Sequence, residues 1–434
     1  MGRVVVLLFA SMWLSMPAAA RTWLVSPDGT GDAPTVQAGI DSAVAGDIVL
    51  LAPGTYTWTS QGASGHSMIQ LEPGVILRSE QGPERTVIDA EGQRRVFLCR
   101  DTGGAVQIEG LTIQGGLAWW TEGQPFAIYY GGGMLSTGAS SPTITNCIFR
   151  NNTTGIDNRG GGLFLENGGT VTDCTFIDNG CNGSGGAMWA RGARISRCIF
   201  LRNTAGGHGC GSGSAIEAIE CTISDCLFED NRSGGAHCSG GGTALTVAGP
   251  GRTEILRCTF RRHRGTTCIQ VGSECQFDGC AFLDNDVTSG VVRAAVGSTV
   301  ALVRCTIAGN RASGAVPEGP LITGPADIRA CLFAFNAGAA CSDLLRLRCS
   351  AVFGNGGSDA ACAAAGSDNF EADPQFCAVD PSGSSNIGLQ SDSPCAPGHH
   401  PTGADCGQIG AGPVACNAVS IHERAWTEVK SLFR

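Results

Sequence analysis

The fold class this sequence predicts is all-β: a single-stranded, right-handed parallel β-helix solenoid with an N-terminal cap helix and a disulfide-rich C-terminal cap. Three observations carry that expectation. A Cys-x-Phe-x-x-Asn unit recurs at a mean spacing of about 26 residues, glycine clusters introduce short apolar runs ahead of each unit, and the repeating region leaves no room for helices.

Taken in chain order, residues 1–20 read as a secretory signal peptide. Arg3 precedes the apolar run Val4 to Ala10, and Met16-Pro17-Ala18-Ala19-Ala20 supplies a small-residue ending. No later stretch approaches the ~20 apolar residues of a transmembrane helix, so no membrane span is expected after cleavage. Residues 21–47 form the expected N-terminal cap. Trp23-Leu24-Val25 is a strand, and Thr35 opens a short amphipathic helix with apolar positions Val36, Ile40, Ala43 and Val44.

The rod is expected over 48–356, beginning with Ile48-Val49-Leu50-Leu51. Its motif cysteines are Cys147, Cys174, Cys198, Cys226, Cys258, Cys280, Cys305 and Cys331. Phe149, Phe176, Phe200, Phe228, Phe260, Phe282 and Phe333 stand two residues after seven of them, and Asn (or His263) three residues further on. One such unit cannot bury its own apolar face, whereas stacking in register buries it, each strand pairing with its equivalent about 4.8 Å away. The cysteines then form a reduced, buried ladder of small hydrophobes. Parallel Cβ atoms at that spacing exceed the ~3.8 Å that a disulfide prefers.

Two rows of residues test the stacking. Those before each motif Cys run Asn146, Asp173, Arg197, Asp225, Arg257, Gly279, Arg304; those before each motif Asn run Asn151, Asp178, Arg202, Asp230, Arg262, Asp284, Gly309. Signs alternate in both rows, as ladders of opposite charge require.

Residues 357–416 read as a cysteine-rich C-terminal cap. Disulfides are expected among Cys377, Cys395, Cys406 and Cys416, with Cys377–Cys395 and Cys406–Cys416 suggested by proximity alone. The tail 417–434 is amphipathic through Trp426, Val429, Leu432 and Phe433, and suits either a sorting signal or a docked terminal helix.

The cap helix followed by Ile48 to Tyr56 is similar to the opening of many pectin-lyase-like right-handed β-helix proteins. The Gly-Gly-Ala/Leu and Phe-x-x-Asn repeats resemble those of polymorphic outer-membrane proteins, which are surface adhesins. The resemblance implies the fold; activity varies widely on this scaffold, from lyases and hydrolases to adhesins.

Catalytic signatures are sparse. Gly207-His208-Gly209 matches a short polygalacturonase motif, but the accompanying carboxylates and Arg-x-Lys are missing. Asp178, Asp230 and Asp284 alternate with arginines, which would neutralise a Ca²⁺ site. Glu166 and Glu217 align to neighbouring strand positions two coils apart, with Trp189 between. One insertion, between Ile113 and Cys147, concentrates Trp119, Trp120, Glu122, Phe126, Tyr129 and Tyr130. Such rings beside a carboxylate suit stacking on sugars, and equally suit a packed lid. A net charge of -10 argues against nucleic acid and anionic membranes as partners. The expectation is a secreted or surface-associated, non-catalytic protein binding a polysaccharide or cell-surface glycan without a cofactor or metal; a polysaccharide lyase or hydrolase on the same scaffold is the alternative.

Overall fold

The computed structural model describes residues 19–104, 106–119, 129–206, 213–234, 242–312, 319–341, 345–364, 366–377, 387–414 and 416. Residues 1–18 of the expected signal peptide, the Gly207-His208-Gly209 motif and the tail 417–434 lie outside the described residues.

Each coil passes through four short strands. In one coil these are Leu163–Leu165, Thr170–Thr172, Thr175–Ile177 and Gly180–Ser184. Every strand pairs in parallel with its equivalent in the next coil, giving four sheets along the rod: ten strands (sheet C), thirteen (A), thirteen (B) and eight (D). The winding is that of a right-handed parallel solenoid. Register holds one residue to one residue through sheets A and B, as in Ile144↔Val171↔Ile195↔Ile223 and Phe149↔Phe176↔Phe200↔Phe228.

The phenylalanines fill the interior. Phe149, Phe176, Phe200, Phe228, Phe260 and Phe282 stack face on face with centroids 4.7–5.2 Å apart, and all are fully buried, as is Phe333 one coil beyond Ile307.

The two sharp corners flanking sheet B each take two residues. The first adopts a left-handed backbone: Asp173, Arg197, Asp225, Arg257 and Arg304 at one corner, Asp178, Arg202, Asp230, Arg262 and Asp284 at the other, all near φ +50 to +58°. A side chain in that conformation costs on the order of 1 kcal/mol, and Gly279 and Gly309 take the same places without the cost. The charge rows are therefore also the corner residues, outside the rod.

The second corner residue turns inward and satisfies backbone that the corner frees from the sheets. At the B–D corner, Asn179 Nδ2 donates to Phe149 O at 2.9 Å and to Asn203 Oδ1 at 3.1 Å, and the same Oδ1 accepts from Asn179 N at 3.0 Å. The pattern repeats at Asn152, Asn203, Asn285, Asn310 and Asn336, and Asp359 ends it by accepting from Asn355 Nδ2 at 2.9 Å. At the A–B corner the cysteines do similar work. Cys174 Sγ lies 3.3 Å from Thr172 O and 3.6 Å from Ile144 O, and accepts from Cys147 N at 3.4 Å. Ser350 replaces Cys in the last coil and keeps both contacts, with Arg348 O and Cys331 N. The motif cysteine is thus a hydrogen-bonding corner residue as well as a small hydrophobe; all eight thiols are buried and free.

Three expected charge pairs form: Arg197–Asp173, Arg202–Asp178 and Arg257–Asp225. Two arginines depart from the rows. Arg262 turns to Glu229 instead of Asp230, joining Arg261, because Glu229 is fully buried and a desolvated carboxylate demands the countercharge that half-exposed Asp230 does not. Arg304 reaches Asp278, since its row neighbour is Gly279.

At the N-terminus the helix spans Val36–Ser42, with Thr35 accepting from Ala38 N. Val36 and Ile40 close the first coil; Val44 falls beyond the helix and is exposed. At the far end, helix Asp359–Ala364 puts Cys362 against the core. The remaining C-terminal segment doubles back over the outside of sheet B. Leu389, Cys395 and Ile409 pack on Leu283, Ala308, Leu332 and Ala334, while Gly410 N donates to Ala330 O and Ala411 N to Thr306 Oγ1.

This path corrects the proximity pairings. Cys377 bridges Cys416 and not Cys395, Cys406 bridges Cys349 of the rod and not Cys416, and Cys341 bridges Cys362. Cys395 is a free thiol facing the apolar layer over sheet B, where burial pushes its pKa up to about 12. A segment folded against the rod finds partners in earlier coils, so distance along the chain was a poor guide.

Phe228→Ala should remove about 3–5 kcal/mol by opening a gap between two stacked rings, measured as a lowered denaturant midpoint. His263 gives a second expectation. Its ring stands in the Asn row with Nε2 3.1 Å from Phe228 O and Nδ1 3.2 Å from Asn231 O, and burial lowers its pKa to about 4. The folded state therefore resists protonation that the unfolded chain accepts near pH 6.5, so stability present above pH 6.5 is lost as pH falls towards 4, by about 3 kcal/mol. His263→Asn restores the ladder residue and should abolish that increment, read by comparing unfolding of the two proteins between pH 7 and pH 4.

Candidate functional site on the ten-stranded sheet

The outer face of sheet C is where the rod departs most from repetition. One outward row runs in register Gln70↔Leu98↔Leu135↔Phe164↔Trp189↔Glu217↔Thr246↔Gln270↔Arg293↔Thr323. After Gln70 its first half is apolar and its second half polar, and the change falls between Trp189 and Glu217.

The apolar half is packed. Tyr130 stacks on Phe164 at 4.8 Å and Phe164 on Trp189 at 4.5 Å, with Leu135, Phe164 and Trp189 all buried. Rings stacked at coil spacing use their faces on one another, leaving edges for anything outside. Arg159 and Arg191 place their guanidinium carbons 5.6 and 5.5 Å from the Trp189 ring, and Trp189 Nε1 donates to Glu217 Oε1 at 3.0 Å.

The insertion residues divide. Tyr129 is buried and Tyr130 belongs to the stack; buried Arg95 ties down this return of the chain by donating to Tyr130 O at 2.7 Å and Gly131 O at 2.8 Å. Trp119 is 53% exposed and lies against Gly155, where a Cβ would meet its Cε3 at 3.2 Å. Trp120 and Glu122 lie outside the described residues.

Glu166 and Glu217 are not equivalent positions. Glu217 stands in register with Trp189, whereas Glu166 follows the strand Leu163–Leu165 and accepts from Thr137 Oγ1 and Gly138 N. The sequence alignment slipped here because neither residue belongs to the Cys-x-Phe-x-x-Asn unit.

The polar half holds a feature with no sequence signal. Thr246 Oγ1 and Gln270 Oε1, neighbours in register between Glu217 and Arg293, are buried and have no hydrogen-bond partner among the described residues. At the other end of the row, a cavity of about 510 Å³ opens between the cap helix and the first sheet C strand, lined by Gln37, Asp41, His66, Gln70, Glu72 and Leu98. Among the described residues no group of three His, Cys, Asp or Glu side chains could hold a metal ion.

Connectivity adds a positional argument. Segments 120–128, 207–212, 235–241 and 313–318 each join a sheet D strand to the following sheet C strand, so all four depart from the same edge of the rod. In solenoids, insertions gathered on one side commonly mark the binding face.

Fold and surface together define a right-handed parallel β-helix repeat protein. Residues 95–250 match the family model described as the right handed beta helix region. Among solved structures, the chain is similar to one titled crystal structure of pectate lyase Pel9A (12% identity, 91% of this chain and 97% of that chain, TM-score 0.43). It is also similar to a rhamnogalacturonan lyase (13% identity, 84% and 92%, TM-score 0.43). A third is a mannuronic acid specific polysaccharide family 6 lyase from human gut microbiota (14% identity, 81% and 83%, TM-score 0.40). No curated protein matches the chain.

Because Trp189 is packed and not displayed, Trp189→Ala should cost about 3–5 kcal/mol of stability, visible as a lower urea midpoint. An unchanged midpoint would show the indole to be a free platform.

Proposed function

We propose that the protein is a secreted, non-catalytic carbohydrate-binding rod that holds a polysaccharide along the polar half of the outer face of sheet C. The observation that carries this reading is the in-register row Glu217, Thr246, Gln270 and Arg293, which sets one polar side chain per coil along the outer face of sheet C. Strands repeat about every 4.8 Å along the rod, so a linear polyhydroxylated chain laid parallel to the axis meets one such side chain per coil. The four insertions leaving the adjacent edge support the same face.

The non-catalytic half of the reading rests on how the carboxylates are used. Asp173, Asp178, Asp225, Glu229 and Asp278 are engaged with arginines, and Glu217 with Trp189. General acid–base cleavage of a glycan asks for positioned groups facing the substrate. Secretion is supported by three disulfides among the described residues, bonds that persist in oxidising compartments.

The test uses a shape-conserving double variant, Thr246→Val with Gln270→Met, and a panel of neutral and acidic polysaccharides. Removing unpartnered polar atoms should leave the unfolding midpoint unchanged or higher, while affinity for the bound polysaccharide falls at least tenfold. Equal affinity in wild type and variant defeats the site. Growth of reducing ends, or of absorbance from unsaturated products, during incubation with the bound polysaccharide defeats the non-catalytic reading.

A further inference from the structure

The cap helix closes the first coil and also bounds the cavity of about 510 Å³ beside it. That volume falls inside the roughly 300–1,000 Å³ range of small-molecule sites. Its walls come from three segments that side-chain amides fasten to one another. Gln61 Oε1 accepts from Val36 N at 2.7 Å and ties the loop 61–66 to the start of the helix. Gln37 Oε1 accepts from Gln70 N at 2.7 Å while its Nε2 donates to Gln70 O at 3.1 Å, which ties the helix to the strand Ser67–Gln70. The same Nε2 donates to Asp41 Oδ1 at 2.8 Å and holds that carboxylate on the helix wall. The cavity is therefore shaped before anything enters it, and binding pays little for ordering its walls.

The lining sets apolar Ile69 and Leu98 beside polar Asp41, His66, Gln70 and Glu72, a mixture that suits the C–H faces and hydroxyls of a sugar ring. Its charge narrows the class further. Asp41 and Glu72 are its carboxylates, and none of the described residues lining it is a lysine or arginine. A cleft of one sign concentrates ligands of the other, and the chain's net charge of -10 adds to the same field. A bare Ca²⁺ ion would ask for about six to eight oxygen ligands, whereas among the described residues no group of three His, Cys, Asp or Glu side chains could hold a metal ion. The occupant must bring a positive charge together with its own hydrogen-bonding groups.

We propose that this cavity is a binding site for an amino sugar, a pyranose ring carrying a protonated amine. The ammonium pairs with Asp41 and Glu72, the hydroxyls meet Gln70 and His66, and a C–H face lies on Leu98. Gln70 and Leu98 also open the outward row of sheet C, but five coil steps, about 24 Å, separate Gln70 from Glu217. The site is thus distinct from the polar half of that row and does not depend on it.

Calorimetric titration of the full chain at about pH 7, where such an amine keeps its proton, tests the assignment with glucosamine, N-acetylglucosamine, glucose and glucuronic acid. Glucosamine should bind at least tenfold more tightly than glucose or N-acetylglucosamine, and glucuronic acid more weakly than glucose. Equal affinity for glucosamine and glucose, or no binding of glucosamine at millimolar concentration, overturns the proposal. Asp41→Asn with Glu72→Gln keeps the shape of the lining and removes its charge. That double variant should lose the tenfold preference at an unchanged unfolding midpoint, and a preference that survives in it overturns the proposal as well. Glu72→Gln alone alters a carboxylate that has no hydrogen-bond partner among the described residues, so it leaves the amide ties of the walls intact. It should lower the preference at least threefold, and an unaltered preference counts against the site even if the double variant fails to fold.

Discussion

Parallel pairing of each strand with its own equivalent one coil away is the constraint from which the rest follows. In such a stack every side chain's nearest neighbour along the rod is its counterpart in the next repeat. A residue type can then persist only if it tolerates itself at that spacing. Phenylalanine does, by stacking ring on ring. Asparagine does, because its carboxamide carries a donor and an acceptor and can give to one neighbour while accepting from the other. Charged residues do not, which is why Asp and Arg alternate along the corners.

The exceptions show which property each position requires. Ser350 keeps the hydrogen bonds of the cysteine row while losing the sulfur, so polarity at that corner matters besides volume. His263 meets two carbonyl oxygens with a ring that carries a single N–H when neutral, and becomes the row's pH-sensitive link. Gly279 drops out of the charge row and Arg304 finds Asp278, one residue away. The corners accept such exchanges because their backbone conformation, not a particular side chain, sets the path.

The corners and the outer faces of sheets B and C have separate fates. The A–B and B–D corners remain in solvent and carry ion pairs, each worth a few tenths of a kcal/mol at such exposure. From Ala281 onward sheet B is apolar outside and is covered by the C-terminal segment through Leu389, Cys395 and Ile409. Sheet C changes from a packed aromatic row to a polar row in which Thr246 Oγ1 and Gln270 Oε1 have no hydrogen-bond partner among the described residues. The packed half gives the polar half a fixed backing.

The sequence by itself determined the coil: its length, its inward phenylalanines, the asparagine and cysteine rows and the alternating corner charges, since each is a local pattern repeated seven or eight times. It also located the cap helix, through Thr35 and the apolar spacing after it. It could not determine what lies on the outside. The pairing of Cys349 with Cys406, the cover over Leu332, the burial of Glu229 and the contact of Trp189 with Glu217 all join residues from different coils at positions where the repeat is broken. Those contacts depend on where a non-repeating segment comes to rest against the finished rod, and no spacing along the chain encodes that; only the tertiary structure decides it.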